Sequence, residues 1–379
     1  LSEILSAMFG MDSLLIGTII PFLFVLTVVV FVHEMGHYLV GRWCGIGVQA
    51  FSVGFGPEIF GFNDRHGTRW KLSAIPLGGY VKFLGDMSVT SSPDSEATQK
   101  LTEAERKHAF HTQPVWKRAA TVFAGPLFNF LLTIAVFAVM FSVYGRFVSD
   151  PMVAEVRAES PAALAGFEPG DRFISVDGTP VETFSDVQRL VSGRAGDPIT
   201  FVMERNGAEI ILNATPEIME QQDALGNTVK VGVIGVINNE ALGQPRQVTY
   251  SPAGALVEAV SETGHIIMRT GEFLQRFVVG REDKCQLGGP VKIADMAGKA
   301  AKLGFEWVVQ LVALLSVGIG FLNLLPIPPL DGGHLVFYGV EAVMRRPLSE
   351  RMMDIAYRAG MFLVLAFMGF VFWNDLFGC

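Results

Sequence analysis

His33, Glu34 and His37 stand in the order H-E-x-x-H. On a helix the two histidines lie one turn apart on a single face, so both imidazoles can reach one zinc ion. Glu34 sits beside that face, where it can take a proton from an attacking water. The motif closes a run from Leu14 to Val32 that is almost wholly apolar and long enough to enter a bilayer as a helix. Two histidines and a carboxylate at the end of such a helix are costly unless they serve a purpose. A bare H-E-x-x-H also arises by chance, as polar residues capping a helix at a membrane surface. A second polar island argues against chance: Asn323-Leu-Leu-Pro-Ile-Pro-Pro-Leu-Asp331-Gly332 interrupts another hydrophobic segment. A hydrolytic zinc site usually takes three protein ligands and leaves a fourth position for water. His33 and His37 supply two, and Asp331 is a natural third.

The pairing of H-E-x-x-H in the first apolar segment with N-x-x-P-x-P-x-L-D-G in the third resembles the site-2 proteases, which are intramembrane zinc metalloproteases. It is most similar to their bacterial branch, called regulator of sigma-E protease. The resemblance covers most of the chain and is weakest over 86–113 and 216–250. It implies substrates that are single-pass transmembrane proteins, typically anti-sigma factors and leftover signal peptides. The implied task is a second cut, made after another protease has removed the substrate's outer domain.

Composition sets the frame for these residues. Half of the 379 residues are hydrophobic, which is rare in a soluble protein of this size. The net charge of −8 argues against nucleic acid as a partner. Cys44, Cys285 and Cys379 are odd in number and far apart, so they read as free thiols. Four stretches are expected to span the membrane, near 14–40, 119–143, 306–327 and 356–373. The first lacks the basic leader of a cleavable signal peptide. Arg42, Lys117 and Arg118 flank one connection, and Arg345, Arg346, Arg351 and Arg358 lie in the other. Basic connections stay inside, so both termini are expected outside and the zinc ligands near the cytoplasmic face. Asp331 belongs to a segment end approaching that same face.

The connections must position the chemistry. Phe51–Pro57 and Trp70–Phe83 alternate apolar and polar residues around glycines, predicting strands and a hairpin. Such a sheet either packs at the membrane surface or offers an edge to an extended substrate through Gly78, Gly79 and Tyr80. The resemblance favours the edge. Residues 86–113 read as a flexible loop with one short helix at 102–109, and His108 and His111 as solvated surface histidines. Asn129 lies at membrane depth within A-G-P-x-x-N and needs a partner there: a neighbouring helix near the zinc, or a carbonyl freed by Pro126. Asn323 could hold the substrate backbone or the developing oxyanion, or satisfy carbonyls released by the prolines. His334 reads as supporting the site or the structure, since three ligands are already supplied.

Residues 151–215 form a soluble module. S-P-A-x-x-A-G-x-x-x-G-D from Ser160 to Asp171, a helix near 186–192 and a hairpin around Asn206-Gly207 resemble a single bacterial PDZ domain. It could bind a peptide strand or act as a steric gate. Val229–Asn238 reads as a further strand. Residues 252–280 read as an amphipathic helix, lying on the outer membrane surface or bracing the module. A helix at 291–302 follows L-G-G-P-V-K-I, which also resembles the family.

The expected molecule is a polytopic α-helical membrane protein with about four transmembrane helices, a membrane-associated β element and one inserted α+β PDZ domain. Its expected parts are 1–145, a first catalytic membrane half; 150–216, the PDZ domain; 217–302, a connecting region; and 303–379, the second membrane half. The expected activity is cleavage of transmembrane segments at one Zn2+ ion in the bacterial inner membrane, with lipid and membrane-protein substrates as partners. Two other readings compete. One is the other membrane-bound H-E-x-x-H family, whose third ligand is a downstream Glu, against which the L-D-G motif speaks. The second is a proteolytically silent scaffold that presents its PDZ domain, against which the intact Glu34 speaks.

Overall fold

The computed structural model describes residues 15–85, 101–222, 228–238, 246–280 and 284–378. A π-helical turn at Leu15–Ile19 leads into α1 (Ile20–Trp43), then β1 (Val48–Asn63), β2 (Arg69–Phe83) and the short α2 (Glu103–Arg106). After α3 (Val115–Val143) come β3 (Arg146–Val148), β4 (Glu155–Val156), α4 (Pro161–Ala165), β5 (Arg172–Val176), β6 (Thr179–Pro180) and α5 (Phe184–Ser192). Six strands follow: β7 (Ile199–Arg205), β8 (Ala208–Ala214), β9 (Glu217–Gln222), β10 (Thr228–Val233), β11 (Val236–Ile237) and β12 (Arg246–Val248). The chain closes with α6 (Pro252–Val278), α7 (Pro290–Leu303), α8 (Phe305–Asn323), α9 (Asp331–Met344) and α10 (Glu350–Trp373).

Four helical stretches among the described residues are long and apolar enough to cross a membrane: Ile16–Trp43, Val115–Val143, Phe305–Asn323 and Arg351–Gly378. By that measure the chain is a polytopic membrane protein. The third span stops at Asn323 rather than at 327, because the prolines that follow cannot continue its hydrogen bonding. The fourth is longer than expected and starts at a Ser349 cap whose side chain accepts from the Met352 amide.

The chain divides into two compact units, Leu1–Phe137 with Leu287–Cys379, and Ala138–Gln286. In the first unit the helices approach through small residues. A Cβ at Gly36 of α1 would collide with the Ala124 carbonyl of α3. Thr133 and Ser316 donate to the carbonyls of Ala313 and Asn129 at 3.0 and 2.9 Å, joining α3 to α8. β1 and β2 pair antiparallel, but their register breaks between Val53 and Glu58. Ala50–Val53 therefore lies beside Gly79–Lys82 on one flank and beside Arg69–Leu72 on the other. The predicted hairpin is thus a four-ribbon sheet made from two bent strands.

Residues 101–113 hold the short helix expected there, at Glu103–Arg106 with a Thr102 cap, and 86–100 lie outside the described residues. Phe110 is fully buried and stacks on Phe83 at 5.0 Å, an apolar anchor in an otherwise polar stretch. His108 is exposed, its Nδ1 2.8 Å from the Gly45 carbonyl. His111 departs from the expected solvated position, for it is half-buried and lines a cavity with His334. The cysteine expectation is also corrected: Cys44 is a free buried thiol, whereas Cys285 is disulfide-bonded.

The second unit holds a four-stranded sheet in the order β6-β5-β7-β8, over a core that includes Val153, Phe173, Ile199, Phe201 and Met203. Its β7–β8 hairpin turns at Asn206 and Gly207, both at positive φ. The single strand expected at 229–238 breaks at Gly235 (φ +83°) into β10, paired with β9, and β11, paired with β4. Helix α6 buries Ala255, Ala259 and Thr263 on one face. Its Glu258 lies 2.6 Å from Arg146, its Glu262 3.8 Å from Arg189, and its Arg276 pairs with Asp197. It therefore braces the strand module, one of its two expected roles.

Candidate metal centre

Helix α1 presents different residues to different neighbours. His33 and His37 face α3 and the start of α9, while Phe31 and Tyr38 pack against the β1–β2 sheet. Asp331 opens α9, directly after the proline-broken loop. That loop is wound so tightly that a Cβ at Gly332 would collide with the Leu324 and Leu325 carbonyls. The two glycines after Asp331 are therefore what allow α9 to start there.

The result is a compact trio. His33 Nε2 lies 3.2 Å from His37 Nε2 and 3.2 Å from Asp331 Oδ2, and His37 Nε2 lies 3.6 Å from that same oxygen. Ligand atoms of the three residues fall within 4.8 Å of one another, and both histidines are buried. A Cβ at Gly125 would collide with His37 Nε2, so glycine at that point of α3 leaves the imidazoles room.

Two details show that the trio fits a cation. Asp331 Oδ2 is buried and makes no well-formed hydrogen bond, although two imidazole nitrogens converge on it. His37 Nδ1 lies 2.9 Å from the Thr121 carbonyl, which can only accept, so Nδ1 carries the hydrogen and Nε2 keeps its lone pair. Asn129 completes the same arrangement for His33. Its Nδ2 lies 3.2 Å from His33 Nδ1, and its Oδ1 is buried without a partner. A half-turn of the amide exchanges the two atoms. Oδ1 then accepts from His33 Nδ1–H, and the second imidazole also points a lone pair inward.

Glu34 turns toward the sheet. A Cβ at Gly79 would lie 3.1 Å from Glu34 Cγ, so the helix and the Gly79 ribbon are in close contact there. Of the other sequence-predicted residues, Gly78 has a positive φ of 119°, and Tyr80 stacks on Phe55 at 6.2 Å. Asn323 ends α8, and no hydrogen bond joins it to the trio among the described residues. His334 turns away from Asp331, its Nδ1 2.9 Å from Tyr357 Oη. It lines a cavity of about 330 Å³ with Arg118, Tyr338 and Glu341. Arg118 and Glu341 form a buried two-pronged ion pair at 3.1 and 2.7 Å between α3 and α9. That clamp and Thr121 escaped the sequence reading because neither belongs to a motif with a chemical spacing, whereas Gly125 lies within A-G-P-x-x-N, a pattern read there for Asn129.

The comparisons with known proteins agree with the geometry. The family model described as peptidase family M50 matches residues 21–367. The chain is 79% identical over 365 residues to a provisionally named zinc metalloprotease of Mesorhizobium japonicum, covering 96% of this chain and 100% of that one. It is 66% identical over 379 residues to one of Brucella suis, with full coverage of both. It is 40% identical over 380 residues to metalloprotease MmpA of Caulobacter vibrioides, covering 94% of this chain and 95% of the other. A buried trio suited to zinc and relatives that align from end to end lead to one conclusion: the chain belongs to peptidase family M50, the site-2 protease family, and is a zinc metalloprotease.

Proposed function

We propose that this metalloprotease is an intramembrane endopeptidase that cuts the transmembrane segments of single-pass proteins. The observation that carries the reading is the meeting of His33 and His37, within an apolar span, with Asp331 behind the proline break. Such polar groups sit in apolar surroundings only at a site that admits water and substrate. Held by His33, His37 and Asp331, zinc would supply a Lewis acid for the peptide carbonyl and lower the pKa of water. The Thr121 carbonyl and the Asn129 amide hold the imidazoles in the ligating tautomer. Glu34 takes the proton from the attacking water and returns it to the leaving amine. Its place beside Gly79 supports the sheet as the element that holds an unwound substrate near the base. Asn323, Gly78 and Tyr80 remain candidates for substrate contact, and His334 for support of α9.

Within the second unit, residues 150–216 are proposed to be a single PDZ domain outside the bacterial cytoplasmic membrane. A cavity of about 640 Å³ between α5 and residues 232–237 supports its binding a peptide strand rather than serving only as a gate. The basic connections support an inside location for the ligand ends of α1 and α9, with both termini outside. The disulfide at Cys285 supports an oxidising compartment for that segment. Substrates already trimmed by another protease, such as anti-sigma factors or signal-peptide remnants, belong to the same proposal.

The test is cleavage of a single-pass model substrate in liposomes by wild type and Glu34→Gln, each with and without a zinc chelator. Cleavage inside the membrane segment, abolished by the mutation and by the chelator, is the expected result. No cleavage across several membrane segments by zinc-loaded wild type would favour the silent scaffold.

A further inference from the structure

The turn between β1 and β2 carries one half-buried carboxylate whose two oxygens do different work. Asp64 Oδ1 accepts from the backbone amides of His66 and Thr68, at 2.8 and 2.9 Å, and so shapes the turn. Asp64 Oδ2 accepts from Tyr38 Oη at 3.0 Å and from Trp70 Nε1 at 3.1 Å. Tyr38 follows His37 directly in α1, and Trp70 belongs to the sheet. One oxygen therefore ties the catalytic helix to the sheet one residue beyond a metal-ligand candidate.

An aromatic chain carries that tie toward Glu34. Trp70 stacks on Phe51 at 4.5 Å with the rings 28° apart. Phe51 sits edge-on to Tyr38 at 5.8 Å and to Phe31 at 5.7 Å, the residues that flank Glu34 one turn on either side. Phe51 is also paired in register with Val81, two residues beyond Gly79, where the ribbon lies against Glu34. Partial burial works to raise the Asp64 pKa. The donors Trp70, Thr68, His66 and Tyr38 outweigh it and hold the pKa well below the usual carboxylate range. Asp64 is therefore a carboxylate at any pH where a protease of this kind would be assayed.

We infer that Asp64 is a positioning residue: through Tyr38 and Trp70 it sets the distance between the Gly79–Val81 ribbon and the carboxylate of Glu34. It touches neither substrate nor metal. A ribbon displaced by even about 1 Å would misalign base and peptide and cost on the order of a hundredfold in rate. The inference rests on Glu34 serving as the base of the reaction.

The separate tasks of the two oxygens make the test clean. Asp64→Asn can keep the Oδ1 bonds that form the turn, while an NH2 group replaces the oxygen facing two donors. Tyr38→Phe removes only the partner on α1. Full-length protein is assayed in liposomes on a single-pass substrate beside wild type and Glu34→Gln, with zinc content and melting recorded for each. The expected result for Asp64→Asn is a kcat lower by about tenfold or more, with KM within about twofold and wild-type zinc content and melting. The double variant Tyr38→Phe/Asp64→Asn should be no slower than Asp64→Asn alone, because both remove one tie. A kcat near wild type in both single variants would overturn the inference. Activity loss matched by loss of zinc or of folded protein would reduce Asp64 to a structural role and overturn it as well. A Glu34→Gln protein as active as wild type would bring down the proposed function and the inference together.

Discussion

At the scale of residues, the site separates holding a metal from moving a proton. His33, His37 and Asp331 converge on one point, whereas Glu34 faces the sheet. Glu34→Gln should therefore keep about one zinc per chain and lose cleavage by a factor of about a hundred to ten thousand. Zinc analysis beside the activity assay checks both halves, and a variant that loses its zinc would place Glu34 among the ligands. Asn129→Leu should act in the opposite way. Without an amide on Nδ1, His33 is free to present either tautomer, and zinc affinity should fall about tenfold to a hundredfold. Competition with a chelator of known affinity measures this directly.

At the scale of elements, the metal trio is assembled from helices that must stay in register. Arg118 of α3 and Glu341 of α9 form a buried ion pair, and the guanidinium also lies 5.0 Å from the centre of the Tyr338 ring. Glu341→Ala would leave the Arg118 charge buried without its partner, at a cost of about 3–5 kcal/mol. A clearly lower melting temperature in detergent is expected, together with weaker zinc retention because α9 carries Asp331. In the second unit, Asp186 caps α5 and offers a pH test. Burial works to raise its pKa, but the Thr183 side chain and amide, Arg189 and the Glu182 amide lower it below the usual carboxylate value. A lowered folded pKa means stability that is present above the ordinary aspartate value near about 4 and lost as pH falls below it through the lowered folded pKa. The melting deficit of Asp186→Asn relative to wild type should therefore be largest near neutral pH and shrink in acid. A deficit that grew on acidification would contradict the capping role.

At the scale of the whole molecule, metal and fold are linked. The trio joins residues separated by about three hundred positions in sequence, so a cation held there binds the native chain and not the unfolded one. Free zinc at about one hundred times its dissociation constant should add about 2.7 kcal/mol to native stability. Melting curves of stripped protein titrated with zinc should shift upward accordingly, and the Asp331→Ala protein should shift far less. If the two proteins shift equally, Asp331 is not a ligand.

Chemistry that depends on local spacing was legible in the order of residues alone. H-E-x-x-H places two imidazoles on one helical face whatever surrounds it, and apolar runs of sufficient length have few places to go but a bilayer. The three prolines announced a break in the third apolar segment, whereas the helix that restarts at Asp331, with loop carbonyls packed on Gly332, came from the fold. The Asn206-Gly207 hairpin and the amphipathic α6 were equally local, and equally legible. Relations between distant segments emerged only once the chain was folded. The doubled sheet, the ordered anchor at Phe110, the Arg118–Glu341 clamp and the tie from Asp64 to Tyr38 all join residues with no shared periodicity. Covalent spacing encodes which groups can do chemistry, whereas their alignment depends on long-range packing, which leaves no repeating trace in the order of residues.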